Sequence, residues 1–169
     1  LRIKDDKEPL ISTFHSLCVR ILRRHIDKLG YPKKFGIYSR GDQESLARAV
    51  LKDINVSDAL LAPGQLLYYI SRWKCKSMLP DDASLDADTD RMLLAAVGYR
   101  KYQGKLKSLG VVDFDDLLLL TERLFTNNEE VRKEEAARFD HLLIDEYQDT
   151  NSSQYRIVTS LAQDHGNLC

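Results

Sequence analysis

Asp145 and Glu146 stand directly after the apolar run Leu142-Leu143-Ile144 and directly before a polar stretch, Tyr147-Gln148-Asp149-Thr150-Asn151. A short apolar run bounded by turn residues reads as a buried parallel strand. Ligands of open α/β sheets bind at the carboxyl ends of such strands. Two adjacent carboxylates there are suited to phosphate chemistry. One holds Mg²⁺, which neutralises charge on a phosphoryl group. The other takes the proton of an attacking water. The residues by themselves leave a second reading open, an acidic surface turn with no ligand.

Two further segments carry possible chemistry. Thr13, Phe14 and His15 lie where an apolar stretch gives way to a helical pattern. A hydroxyl and a helix N-terminus can meet a phosphate, and an imidazole can stack on a base. The same residues can equally cap a helix, and Phe14 is expected in the core. Arg20, Arg23, Arg24, Lys33 and Lys34 form the densest basic cluster, able to neutralise phosphates or to line a solvated helix face. Trp73 beside Lys74 and Lys76 pairs an aromatic ring with cations, although Trp73 reads first as a core anchor. Asp113, Asp115 and Asp116 resemble a metal cluster only superficially. In a helix, 113 and 116 share a face and 115 does not, so they are read as charges favoured at a helix start.

These groups need elements to position them. The pattern predicts a strand at 10–14 and a helix over 16–29, ended by Gly30 and Pro32. A basic loop over 31–41 follows, then helices at 42–54 and 65–76 and an acidic connection at 80–86. A long helix over 88–109 contains Gly98 and Gly104, each costing about 1 kcal/mol against Ala; a bend or close packing is expected there. Asp113 is a candidate N-cap for an apolar helix at 114–126. A charged helix at 129–138, a strand at 141–145 and a helix at 152–163 complete the chain. Strand-helix pairs thus flank a middle of helices only, which points to an α/β or α+β arrangement.

Bulk properties narrow the class. The 169 residues are 43% hydrophobic and 30% charged, as in a globular protein with a core of its own. Net charge is −1, but residues 1–40 carry +6 and residues 113–149 carry −8. A basic start and an acidic finish suit a phosphate-facing side and a metal-facing side. The three cysteines, Cys18, Cys75 and Cys169, form no CxxC pair. That argues against a disulfide framework or structural zinc and for a reducing compartment. No signal peptide or membrane-length run is visible, and a cytoplasmic location is expected.

Asp145-Glu146-Tyr147-Gln148-Asp149-Thr150-Asn151 resembles motif II, the Walker B motif, of superfamily 1 DNA helicases related to UvrD, Rep and PcrA. Ile11-Ser12-Thr13-Phe14-His15-Ser16-Leu17-Cys18 and Val112-Asp113-Phe114-Asp115-Asp116-Leu117-Leu118 resemble two other segments of that family, in its order and at about its spacing. The resemblance implies a mostly α chain with a small parallel β portion. Residues 1–29 and 111–169 would be parts of a RecA-like α/β domain (1A), and 30–110 a helical subdomain (1B) inserted into it. It further implies ATP and Mg²⁺ as cofactors, Asp145 as metal ligand, Glu146 as base, and Gln148 as a residue of the nucleotide region. Thr13 and His15 would face single-stranded DNA, and Lys74 of the inserted subdomain would meet DNA; Arg20 and Arg24, from the basic cluster, are expected as further DNA contacts. The function implied is an ATP-dependent 3′–5′ DNA helicase of repair or replication.

The sequence contains no GxxxxGK[ST] phosphate loop. It opens without Met and ends on Asn167-Leu168-Cys169, which reads as the start of a strand. It is therefore expected to be a segment of a longer helicase, without ATPase activity by itself. Two alternatives remain at this stage: the helicase subunit of an AddA/RecB-like helicase–nuclease, and a non-enzymatic DNA-binding module.

Overall fold

The computed structural model describes residues 9–169, and these are mostly helical. Eight α-helices occur: α1 (Phe14–His25), α2 (Arg40–Asp53), α3 (Pro63–Cys75), α4 (Pro80–Asp86), α5 (Asp90–Leu109), α6 (Phe114–Asn127), α7 (Glu129–Ala136) and α8 (Ser152–Ala162). Two short strands, β1 (Gly36–Ile37) and β2 (Val111–Val112), form a parallel pair with Gly36 opposite Val111.

Local chemistry explains most boundaries. Thr13 caps α1 by accepting the Ser16 N–H, and Ser39 and Asp42 form a capping box at α2. Pro63 opens α3 at a position whose N–H a helix does not need. Asp113 accepts the Asp116 N–H at 2.8 Å, and the Asp116 carboxylate accepts the Asp113 N–H at 3.3 Å, so the expected cap of α6 is a full box. Gly30 and Gly110 adopt left-handed backbone at the ends of the first helical segment and α5.

The side chains collect into two cores. One gathers the inner faces of α2, α3 and α5, including Leu51, Leu66, Ile70, Trp73, Tyr99 and Leu106. The other gathers α1, α6 and α8 around Ile21, Leu22, Leu117, Leu124, Ile157 and Leu161. The parallel pair β1–β2 lies where the chain passes from one set of helices to the other, with Val112 buried in the second core. Gly98 explains part of the α3–α5 contact, because a Cβ there would come within 2.8 Å of Leu66 Cδ1. The helix runs through both Gly98 and Gly104.

Several expectations need correction. Residues 10–14 form no strand: Leu10 and Ile11 are exposed, and α1 begins at Phe14. No neighbouring strand pairs with them among the described residues, and an unpaired strand has no ladder to hold it. Residues 80–86 are a helix, started by Pro80 and capped by Asp82 reaching the Leu79 N–H at 3.0 Å. Strand β1 falls inside the stretch read as loop. The strand expected at 141–145 is reduced to a single parallel bridge between Leu142 and Leu168. Among the described residues, no helix is long and apolar enough to cross a membrane.

Candidate functional site

The bridge nevertheless sets the geometry of the acidic pair. The Leu142 N–H donates to Asn167 O at 2.9 Å, the Cys169 N–H to Leu142 O at 3.0 Å, and the Ile144 N–H to Cys169 O at 2.8 Å. This parallel pairing runs up to Ile144 and stops, so Asp145 stands at its carboxyl end. The Asp145 carboxylate turns back to accept the Glu146 N–H at 2.9 Å. Glu146 has φ +52°, in the left-handed region that a residue with a Cβ rarely adopts. Such backbone costs on the order of 1–3 kcal/mol and clusters at functional sites.

From there the chain makes one tight turn. The Asp149 N–H donates to Glu146 O at 2.9 Å, and the Thr150 hydroxyl donates to Tyr147 O at 2.8 Å. Asn151 then caps α8, accepting the Gln154 N–H at 2.9 Å while Gln154 accepts the Asn151 N–H at 3.0 Å. Tyr147 packs edge-on against Tyr155 of α8, with ring centroids 6.4 Å apart. Tyr147, Gln148, Asn151, Tyr155 and Arg156 line a shallow open groove beside the pair.

Asp145, Glu146 and Gln148 are all exposed. Neither carboxylate forms an ion pair among the described residues. Two free carboxylates beside an open groove are the hard oxygen donors that Mg²⁺ takes together with waters and phosphate oxygens. The residues present therefore fit the metal that the sequence implies. The 169 residues contain no GxxxxGK[ST] phosphate loop to stand beside the pair.

The second cluster lies at the start of α1. Thr13 is exposed, and its hydroxyl is engaged in capping, with Ser16 N at 3.3 Å and Ser16 Oγ at 3.0 Å. His15 stacks on Phe114, ring centroids 3.9 Å apart and planes 20° off parallel. Burial lowers the His15 pKa, against an opposing pull from Asp115, so the imidazole is neutral at pH 7. Phe114 is 53% exposed, and the stacked pair presents an aromatic platform that the spacing of 15 and 114 in sequence could not reveal. Phe14 packs against the second core, as its apolar character predicts. No hydrogen bond or ion pair among the described residues joins Thr13 or His15 to the 145–151 turn.

The cations divide sharply. Arg20 is exposed. Arg24 is held by Glu135 through two bonds of 2.7 and 2.5 Å, which fixes one face of its guanidinium. Lys74 contradicts the sequence reading. It is 1% exposed, and its ammonium lies 2.7 Å from Asp113 and 2.7 Å from Asp116. Spacing explains this, because Lys74 follows Leu67 and Ile70 at helical intervals and falls on the buried stripe of α3. It ties α3 to the cap of α6 and has no face left for a phosphate. Trp73 is a core anchor, its indole N–H donating to Asp86 at 3.0 Å. Gln103 completes the buried network by donating to Asp116 at 3.0 Å.

The profile of the UvrD/REP helicase N-terminal domain matches residues 2–169 of the chain. An ATP-dependent DNA helicase PcrA of Staphylococcus epidermidis is 38% identical over 159 residues, which is 94% of this chain and 22% of that protein. A protein of the same name from Staphylococcus aureus is 39% identical over 159 residues, again 94% and 22%. The chain thus spans about a fifth of the length of the curated relatives it matches.

Proposed function

Because the chain belongs to the UvrD/REP helicase N-terminal domain family, we propose that it works as one segment of an ATP-dependent DNA helicase that moves 3′ to 5′ on single-stranded DNA and separates duplex. The observation that carries this reading is the Asp145–Glu146 pair, exposed at the end of a parallel pairing and followed by a strained turn. Residues 30–110 act as the inserted helical subdomain 1B. Residues 1–29 and 111–169 belong to the RecA-like domain 1A, and the stretch 1–8 within them lies outside the described residues.

In this scheme Asp145 holds the Mg²⁺. Mg²⁺ held there beside ATP would supply charge to screen the transferred phosphoryl group. Glu146, exposed at the φ +52° turn, accepts a proton from the attacking water at its carboxylate. Gln148, on the groove wall, orients the nucleotide region. Residues outside the 169 supply the phosphate loop, so the chain alone turns over no ATP.

DNA meets the start of α1. The His15–Phe114 platform offers a π-face to an unstacked base. Thr13 offers a hydroxyl at a helix N-terminus, while Arg20 and the free edge of Arg24 offer charge to phosphates. The work belongs to repair or replication in the cytoplasm. In the full-length protein, ATP should drive strand separation on a duplex with a 3′ single-stranded tail and not on one with a 5′ tail. ATP-independent binding without unwinding of either substrate would favour a non-enzymatic module. Unwinding coupled to strand cleavage would favour a helicase–nuclease subunit.

A further inference from the structure

The turn after α3 holds Ser77 at φ +60°, the position where helices usually end on glycine. The surrounding bonds are those of a tight helix stop: the Met78 N–H donates to Trp73 O at 2.9 Å and the Ser77 N–H to Lys74 O at 2.9 Å. Glycine would suit this backbone better. What serine adds is a hydroxyl, and that hydroxyl is fully engaged. It donates to Glu122 Oε2 on α6 and accepts from Arg156 Nη2 on α8.

The ring closes on itself. Arg156 Nε donates to Glu122 Oε1 at 2.7 Å, and the Ser153 hydroxyl donates to Glu122 Oε2 at 2.8 Å. The Glu122 side chain is 13% exposed, so these charge-assisted bonds are partly shielded from water. One carboxylate therefore joins three separate elements: the end of α3, the middle of α6 and the first turns of α8. Asn151, the N-cap of α8, directly follows the acidic turn, and Arg156 lines the same groove as Tyr147 and Gln148.

We infer that the Ser77–Glu122–Arg156 ring is a positioning device that couples the helical segment of residues 40–109 to the acidic turn at Asp145–Gln148. A displacement of α3, or of α6 whose Phe114 forms the platform proposed to meet DNA, would pull on Arg156 and α8, and so shift Gln148 and Glu146 relative to the nucleotide. Arg156 and Glu122 touch neither water nor nucleotide in this scheme; they act through the turn. The inference rests on the helicase reading above.

Ser77→Gly is the informative variant, because it relieves the backbone while removing the hydroxyl. In the full-length protein, Ser77→Gly should keep or raise Tm and leave the DNA-free ATPase rate and the KM for ATP unchanged. Its DNA-stimulated kcat should fall roughly 2- to 30-fold, the range of coupling effects between distant sites. Glu122→Gln should give a similar loss, and the double variant should be no worse than either single one, since both break one ring. A DNA-stimulated kcat for Ser77→Gly equal to the wild type's, or losses that multiply in the double variant, would overturn the coupling. A wild-type protein whose ATPase ignores DNA would instead remove the helicase reading beneath it.

Discussion

Replacing Lys74 by Met would leave two buried carboxylates, Asp113 at 2% and Asp116 at 0% exposure, without their cation. Breaking a buried pair from one side costs about 3–5 kcal/mol. For a chain of this size each kcal/mol moves Tm by about 2–4 °C, so a fall of roughly 6–20 °C is expected. The loss also has a pH signature. Burial, and then the charge of Asp113, raises the Asp116 pKa to about 6 from an ordinary value near 3.8. A folded-state pKa above the unfolded one means that the folded state binds the extra proton. Its stabilising contribution is present below pH 4 and is lost as pH rises through about 6. Without Lys74 the raised value climbs further, so Lys74→Met should be more damaging at pH 8 than at pH 5. Adding Asp116→Asn should restore part of the loss at pH 8. Urea melts followed through Trp73, the only tryptophan and a neighbour of Lys74 in α3, measure this directly. DNA binding supplies the contrast: in the full-length protein, the slope of log affinity against log salt should not change. A phosphate contact would lower that slope by about 0.7 on single strands. A Tm within 2 °C of the wild type's together with such a slope change would refute the burial argument and restore Lys74 as a DNA contact.

Gly98→Ala and Gly104→Ala should differ in sign. The first drives a Cβ to 2.8 Å from buried Leu66 and should cost about 1–3 kcal/mol, while the second meets nothing within 4 Å and should stabilise α5 by up to about 1 kcal/mol, both read from denaturant midpoints. Acid should loosen α7 from α8. Arg132 pairs with Glu129 and Asp164, and its hydrogen bonds hold Glu129 down to about 2 from 4.5 and Asp164 below its ordinary value. A depressed folded-state pKa gives stability that is present above the unfolded value and is lost as pH falls toward the folded one. Tm should therefore decline between pH 4.5 and 2, with a shallower decline in Arg132→Met over that window.

Most helices were legible because their signals are local, although α4 (Pro80–Asp86) was read as a connection. Caps at Thr13, Ser39, Asp113 and Asn151 and stops at Gly30 and Gly110 act within a turn of their own residues. The β portions were not, because a strand exists only through its partner. Residues 36–37 gain theirs 75 positions away at Val111–Val112, and the apolar residues 10–11 have none among those described. The acidic turn was legible as a short run of residue types. The Phe114 platform and the Ser77–Glu122–Arg156 ring were not, since each joins segments far apart in the chain. Lys74 was misassigned because a cation beside a tryptophan is read from composition, whereas helical phase places it inward opposite Asp113 and Asp116. Phase was the better guide, since a Lys on an apolar stripe needs carboxylate partners.

We propose that Asp145 and Glu146 form the metal-and-water half of a DNA-driven ATPase. ATP hydrolysis by the full-length protein, with and without single-stranded DNA and beside Glu146→Gln, tests it most directly. DNA should stimulate turnover and Glu146→Gln should reduce it at least 100-fold, at the lower end of about 10²–10⁴ for general base catalysis, while nucleotide still binds. Full activity in Glu146→Gln would contradict it.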